Sequence, residues 1–215
     1  PYTGHLRDDA PPRRAMGWKD AIGTVRQVME HRPIVTMIAL GGAASLFVGN
    51  AFHAQMPEFA HDLGTEKADL TYSALLAANA AGAVVGGFVL DGKDWVPPTV
   101  RSAILCAILW CMVMAAFAFS YSYPLSVALL FCAGALNLAF YSTAQTIVQL
   151  QAPIDLRGRL IGLFTMSAYG LRAFSGVTVG VVGGLMGIHW SLALSSMILL
   201  GITLALFAFA LPSQK

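Results

Sequence analysis

Six long apolar stretches dominate this sequence and limit what it can fold into. They cover roughly residues 34–56, 70–90, 100–120, 124–150, 159–183 and 189–211. An α-helix rises about 1.5 Å per residue, so about 20 apolar residues cross the hydrocarbon core of a bilayer. Inside that core the backbone must satisfy its own hydrogen bonds, and a single stretch does so as a helix. The sequence therefore predicts an all-α membrane protein with six transmembrane helices, which we call spans one to six.

The composition narrows the functional classes. Hydrophobic residues make up 57% of the chain and charged residues 11%, whereas a soluble domain carries about 25% charged residues. The basic residues lie at the span ends rather than in one patch, so the expected partner is the lipid bilayer and not nucleic acid. No His, Cys and Glu cluster has metal-ligand spacing, and no nucleophile stands beside a base. The sequence therefore predicts no metal, no cofactor and no enzymatic activity.

Three segments flank the spans. Residues 1–17 are polar and contain prolines, which is typical of a linker. Residues 18–33 place Trp18, Ile22 and Val25 at helical spacing, which predicts an amphipathic helix on the membrane surface that ends at Pro33. Residues 212–215 form a short tail. No signal peptide precedes this pattern, so we expect a longer or processed polypeptide.

The basic residues also predict the topology. An even number of spans puts both ends of the chain on one side. That side holds almost all the Lys and Arg residues near the spans, and the other side holds Lys67 alone. By the positive-inside rule both termini are expected in the cytoplasm, with the chain crossing the cytoplasmic (inner) membrane. The residues counted on the cytoplasmic side are Arg13, Arg14, Lys19, Arg26, Arg32, Lys93, Arg101, Arg157, Arg159 and Lys215.

The six spans repeat in character as well as in spacing. Spans four to six follow spans one to three at an offset of about 90 residues. Spans one and four carry amides with a histidine or tyrosine, spans two and five carry rows of glycines, and spans three and six are the most apolar. Because three is odd, the second set must enter the membrane from the opposite side. This pattern predicts a 3+3 inverted repeat, as in many transporters.

Residues 160–182 of span five contain one charge, Arg172, in a run that is otherwise apolar and rich in glycine. Pro153 should end the preceding helix, and Asp155 stands where it could cap the next one. No Asp or Glu falls within the predicted spans, so a buried Arg172 needs backbone, solvent, an anionic substrate or another protein segment as its partner. Two interpretations remain open: Arg172 anchors substrate or closes the outer gate, or it braces the helices.

Polar side chains inside the spans are the candidate cavity residues. His53 lies one turn after Asn50, and its ring either acts as a protonation switch or packs structurally. A second set recurs every fourth residue along span four and predicts a face that lines a cavity. The complete candidate set for the substrate cavity is Asn50, His53, Asn137, Tyr141, Gln145 and Arg172.

Two further sets of residues lie outside this cavity. Asp91, Arg157 and Arg159 are expected on the cytoplasmic side, where they either form a gate that pairs in one state or merely fix the topology. Small residues four apart let helices approach closely in lipid. The expected helix-docking residues are Gly82, Gly86, Gly176, Gly180 and Gly184.

Several motifs resemble the C-terminal half of a major facilitator superfamily transporter, in the branch that exports drugs and siderophores. Residues 145–163 (QTIVQLQAPIDLRGRLIGL) are similar to that branch's tenth helix, the following cytoplasmic loop and the start of its eleventh helix. Residues 170–172 (GLR) are similar to the eleventh helix, and residues 26–33 (RQVMEHRP) resemble the entry into the seventh. Residues 86–93 (GGFVLDGK) match the loop between helices eight and nine only loosely, since the basic run after Asp91 is reduced to Lys93 and Arg101.

This resemblance implies a six-helix half over residues 34–211 that works by alternating access. Substrate would lie between two halves, with spans one and four lining the cavity, spans two and five facing the N-terminal half, and spans three and six facing lipid. The glycine rows of spans two and five would then meet an N-terminal half that this chain does not contain. The function implied is export of a drug-like or siderophore-like small molecule. The alternative is a structural subunit, derived from such a transporter, that docks on other membrane subunits and transports nothing itself.

Overall fold

The computed structural model describes residues 31–49, 51–63, 68–92 and 97–210, and the regular structure in these ranges is helical throughout. The predicted linker, almost all of the predicted amphipathic helix and the tail lie outside these ranges. We number the α-helices in chain order, with a π-helix, Met166–Gly170, between the sixth and seventh. They are α1 (Arg32–Phe47), α2 (Ala51–Asp62), α3 (Ala68–Gly92), α4 (Val100–Ala118), α5 (Tyr123–Gln151), α6 (Arg157–Thr165), α7 (Arg172–Met186) and α8 (Ile188–Ala210).

The predicted all-α membrane fold is confirmed for the described residues. Five stretches are long and apolar enough to cross a membrane, namely α3, α4, α5, the run from α6 to α7, and α8. The pair α1 and α2, whose helices meet at an angle of 43°, is long and apolar enough in total to count as a sixth span if the bent pair is taken as one. Six spans of this kind satisfy the backbone hydrogen bonds that a bilayer leaves without water.

Local sequence signals explain where several helices begin and end. Pro33 occupies the first turn of α1, where a missing N–H costs no helical hydrogen bond. Thr99 caps α4 through a reciprocal capping box with Ser102. Helix α5 ends at Gln151, just before Pro153, as predicted. The expected cap by Asp155 is wrong, because α6 begins after Leu156 and has no side-chain cap.

Span one differs from its prediction as a helix ending near residue 56. It breaks after α1, where Gly49 has a φ of 36°, a conformation that glycine adopts without steric cost. Helix α2 then continues through Pro57 to Asp62. The expectation that no carboxylate lies within a span is therefore wrong, because Glu58 and Asp62 belong to α2. Proline has no N–H, so the His53 carbonyl lacks its usual helical donor at Pro57.

Most contacts between spans follow the predicted repeat, except that α7 packs on α8 whereas α3 and α4 make no comparable contact among the described residues. In the repeat, span two is equivalent to span five and span four to span one. The contact of α3 with α5 therefore has its counterpart in the contact of the π-helix and α7 with α1. The same equivalence relates the packing of α4 on α5 to that of α8 on α1, and it leaves the contact of α4 with α8 unchanged. This correspondence is what two three-helix units related by a pseudo-twofold axis produce.

Glycines bring α3 and α5 into backbone contact. A Cβ atom at Gly82 would overlap the carbonyl oxygen of Phe131, and one at Gly86 would lie 2.8 Å from Cα of Ala135. From the opposite helix, a Cβ at Gly134 would overlap the carbonyl oxygen of Asn79. The expectation that Gly82 and Gly86 meet an N-terminal half is therefore wrong, because α5 of this chain already occupies the surface they expose.

The matching contact, of span five on span one, uses glycines of α1. Gly41 packs against the Phe164 ring and Ala168, and a Cβ at Gly42 would overlap the hydroxyl of Ser167. That hydroxyl donates a hydrogen bond to the Ile38 carbonyl at 2.9 Å. Three glycines of α7 remain open, since nothing in the described residues lies within 4 Å of a Cβ built at Gly176, Gly180 or Gly184, whereas Gly183 packs against Gln55.

A histidine ties three helix ends together at the side of the bundle opposite α6. Nδ1 of His189 donates to the Ala118 carbonyl at 2.6 Å, and its Nε2 lies 3.2 Å from the Asp62 carboxylate. The His189 ring also packs edge-on against Phe59, with ring centroids 4.8 Å apart. These contacts fix the end of α2 against the end of α4 and the start of α8.

Candidate functional site

A small polar cavity lies inside the otherwise apolar bundle. Its volume is about 60 Å³, and the residues that line it come from spans one to five. None of these lining residues is acidic in the described part of the chain. The lining residues are Gly49, Phe52, His53, Asn79, Trp110, Asn137, Tyr141 and Arg172.

The two asparagines reach the cavity through the glycine contact between α3 and α5. Asn79 lies three residues before Gly82 on α3, and Asn137 lies three residues after Gly134 on α5. Gly82 and Gly86 meet Phe131 and Ala135 in the same order along the chain, so α3 and α5 run parallel and the two amides lie on opposite sides of the glycine contact. The packing motif and the polar lining are therefore parts of one arrangement.

The break in span one supplies the opposite wall. Gly49 packs its backbone close to Ser175 of α7, since a Cβ there would lie 2.7 Å from the Ser175 hydroxyl. The chain then enters α2 with the rings of Phe52 and His53 4.0 Å apart at the cavity. A continuous helix would not turn α2 by 43° relative to α1, so the irregular backbone at Gly49 shapes this wall.

A π-helix sets the position of Arg172, the one charged residue of the lining. It spans Met166–Gly170 and ends one residue before α7, and single π-turns of this kind are frequent at functional sites. The guanidinium carbon of Arg172 lies 4.9 Å from the ring centroid of Tyr169 and 5.6 Å from that of Tyr141. The two tyrosine rings stack at 5.8 Å. Cation–π contacts of this geometry contribute about 0.5–2 kcal/mol each.

The buried polar atoms at the cavity are incompletely satisfied. Tyr141 is only 5% exposed and its hydroxyl interacts with Arg172, whereas Nδ1 of His53 has no hydrogen-bond partner among the described residues. Arg172 acts electrostatically on both groups. Burial of an unsatisfied polar group costs about 1–3 kcal/mol, so a polar ligand or water entering the cavity would gain that energy back.

The structure brings together four of the six predicted cavity residues. His53, Asn137, Tyr141 and Arg172 all line the cavity, whereas Gln145 lies one turn further along α5, half-buried and outside the lining. Asn50 falls outside the described residues. The role of these side chains in binding a substrate stays a prediction.

Three cavity features were missed in the sequence. Asn79 is the one amide of span two, and a lone amide in an apolar span is a signal that could have found it. Tyr169 stands three residues before Arg172, which is helical spacing for a ring beside a cation. Trp110 lies in the very apolar span three and offers no comparable signal. It is 2% exposed and stacks on Phe140.

The predicted cytoplasmic gate is only partly described. Arg157 and Arg159 begin α6 and are exposed, and Asp91 belongs to the last turn of α3 with its side chain outside the described residues. The pairing of Asp91 with either arginine stays a prediction.

One comparison with known proteins supports the resemblance at the level of the superfamily. A family model described as Major Facilitator Superfamily matches residues 5–176, which is more than half of the chain. Neither the curated proteins nor the solved structures give a significant match.

Proposed function

The chain belongs to the Major Facilitator Superfamily, whose members are membrane transporters, and from this premise we propose that it forms the C-terminal half of an alternating-access exporter. The substrate proposed is a small molecule of drug-like or siderophore-like character. It would bind between this half and an N-terminal half and leave the cytoplasm as the two halves rock about the site. Both termini would lie in the cytoplasm, with the spans in the inner membrane.

The observation that carries this proposal is the cavity around Arg172. Polar and charged groups inside apolar spans are costly, because charged side chains at the bilayer centre cost at least about 2.5–3.5 kcal/mol. A helix bundle that needed only to pack would fill this volume with apolar side chains. Here five spans instead converge on amides, a histidine, a tyrosine hydroxyl and an arginine. Because placing these polar groups inside the spans is costly, their presence supports a function in binding a ligand.

Transport by the complete polypeptide in liposomes tests the proposal. We expect active movement of at least one of two fluorescent dyes of opposite charge, ethidium and carboxyfluorescein, when a proton or ion gradient is imposed. Liposomes containing protein inactivated by heat provide the background. Absence of flux for a broad panel of substrates, together with a stable complex with other membrane proteins, would favour the alternative of a structural subunit.

The proposed topology predicts which loops are accessible from outside the cell. In a background with Cys106, Cys111 and Cys132 replaced by alanine, a cysteine at Ser122 should react with an impermeant maleimide added to intact cells. A cysteine at Asp155 should react only after the membrane is opened, because the positive-inside count puts the loop before α6 in the cytoplasm. Both positions are exposed at helix ends. Reversed labelling of the two sites would contradict the topology.

The open glycine row on α7 is the surface proposed to meet the N-terminal half or another membrane subunit. Gly180→Leu should lower the melting temperature of the assembled protein by several degrees, because leucine at a glycine contact pushes two helix backbones apart. The matched control is Gly201→Leu on α8, since a Cβ at either glycine meets nothing within 4 Å in the described residues. Equal melting temperatures for the two variants would show that the row faces lipid.

A further inference from the structure

We propose that the cavity around Arg172 is a subsite for one carboxylate-sized anionic group of the transported molecule. This inference rests on the proposed transport function and adds the chemical class of the substrate. Three features of the described residues carry it: the charge of the lining, the size of the cavity, and the way aromatic rings hold the guanidinium.

The lining has a positive charge and hydrogen-bond donors but no acid. Arg172 supplies the charge, and the side-chain amides of Asn79 and Asn137 supply N–H groups. The Tyr141 hydroxyl, on a residue 95% buried, interacts with Arg172 through its oxygen, and its O–H can donate to an oxygen atom placed in the cavity. These groups favour an anion, whereas a cation would be repelled by the charge of Arg172.

The volume limits what enters. A drug-sized ligand occupies a pocket of about 300–1,000 Å³, and the cavity here holds about 60 Å³. The cavity is a small fraction of that size, which fits a group the size of a carboxylate and not a whole drug-sized molecule. The remainder of the molecule must therefore lie outside the cavity. Tyr169 is 44% exposed beside Arg172 and offers it an aromatic surface.

The tyrosine pair prepares the guanidinium for a planar anion. The rings of Tyr141 and Tyr169 lie within 6 Å of the guanidinium carbon, so they restrain the side chain before the ligand arrives. A restrained arginine loses less entropy on binding and presents its N–H groups as a fork that matches two oxygen atoms. Lysine at this position would keep the charge but lose both the stacking and the fork.

Benzoate and benzamide form a matched pair of probes for this subsite. They have nearly the same size and differ in charge, and their binding to the purified complete polypeptide can be followed as a rise in melting temperature. We expect benzoate to stabilise the wild-type protein and benzamide to leave it unchanged. Arg172→Gln and Tyr141→Phe should each weaken benzoate binding, the first by at least about tenfold, which equals about 1.4 kcal/mol.

Arg101→Gln is the control for general loss of positive charge, because Arg101 is exposed at the start of α4 and outside the cavity. It should bind benzoate like the wild type. Should Arg172→Gln fail to fold, Arg172→Lys and Tyr141→Phe still test the subsite. Equal stabilisation by benzoate and benzamide, or benzoate binding that ignores both residues, would overturn the inference while leaving any measured dye transport intact. An Arg172-dependent shift caused by phosphatidylglycerol but not phosphatidylcholine, with none from benzoate, would assign the anion to lipid and also overturn it.

Discussion

Replacing Gly82 by alanine should destabilise the folded protein by about 3 kcal/mol or more, at the upper end of the cost of overpacking. One added methyl group would overlap the carbonyl oxygen of Phe131 on α5. That atom belongs to a helix backbone, so relief requires moving the whole of α3 away from α5. The unfolding free energy can be measured by titrating the detergent-solubilised protein with a denaturing detergent.

Gly201→Ala is the matched control, because it makes the same change on α8 where nothing described lies within 4 Å of the added carbon. This substitution should be neutral or stabilise by up to about 1 kcal/mol, since alanine loses less backbone entropy than glycine in a helix. Gly82→Ala should also distort the cavity, because Asn79 stands one turn away on the same face. A loss below about 1 kcal/mol for Gly82→Ala would contradict the backbone contact between α3 and α5.

The fold was predictable from the sequence because the bilayer allows so few solutions. Six apolar stretches, each long enough to span, leave helices as the only option for this chain. The offset between the two sets of spans then predicted the repeat that the contacts show. The breaks within spans, at Gly49 and at residues 166–170, were not predicted, because hydropathy gives the length of an apolar run and not the point at which its helix bends.

The partner of each glycine row could not be read from its spacing. Gly82 and Gly86 have the same four-residue period as Gly176 and Gly180, yet the first pair packs inside this chain and the second is open. A row of small residues predicts that another helix backbone approaches closely, but it does not identify that helix. Gly41 and Gly42 are adjacent rather than four apart, so no row pointed to the contact that they make with residues of span five.

The sequence predicted those cavity residues that are polar within an otherwise apolar span. Arg172, His53, Asn137 and Tyr141 stood out because each is a polar group within an apolar span. The same rule wrongly included Gln145, which lies outside the lining. Helical periodicity identifies the residues that share a face, but it does not show how far along the helix a cavity extends. Trp110 joins the lining only through the three-dimensional packing of α4, which no local pattern reports.

Arg172→Lys should lower transport by tenfold or more while leaving the protein folded, because lysine keeps the charge but loses the planar fork and the stacking on Tyr141 and Tyr169. Arg172→Met should lower it at least as much, since the cavity then has no charge. If Arg172 were only a brace, Arg172→Met would be tolerated or even stabilising, because an apolar group of similar length removes the cost of burying a charge. Flux and melting temperature measured on the same preparations separate these two roles.

Dye flux by the complete polypeptide in liposomes tests directly whether the cavity around Arg172 belongs to the transport site. Flux is compared between wild type, Arg172→Lys, Arg172→Met and the exposed-site control Arg101→Lys. The dye is whichever of ethidium and carboxyfluorescein the wild-type protein moves. We expect near-wild-type flux for Arg101→Lys and a loss of about tenfold or more for both Arg172 variants. A tenfold ratio of rates corresponds to about 1.4 kcal/mol. The melting temperatures of both Arg172 variants should stay close to that of the wild type. Undiminished flux in both Arg172 variants would contradict the assignment of this cavity to the transport site.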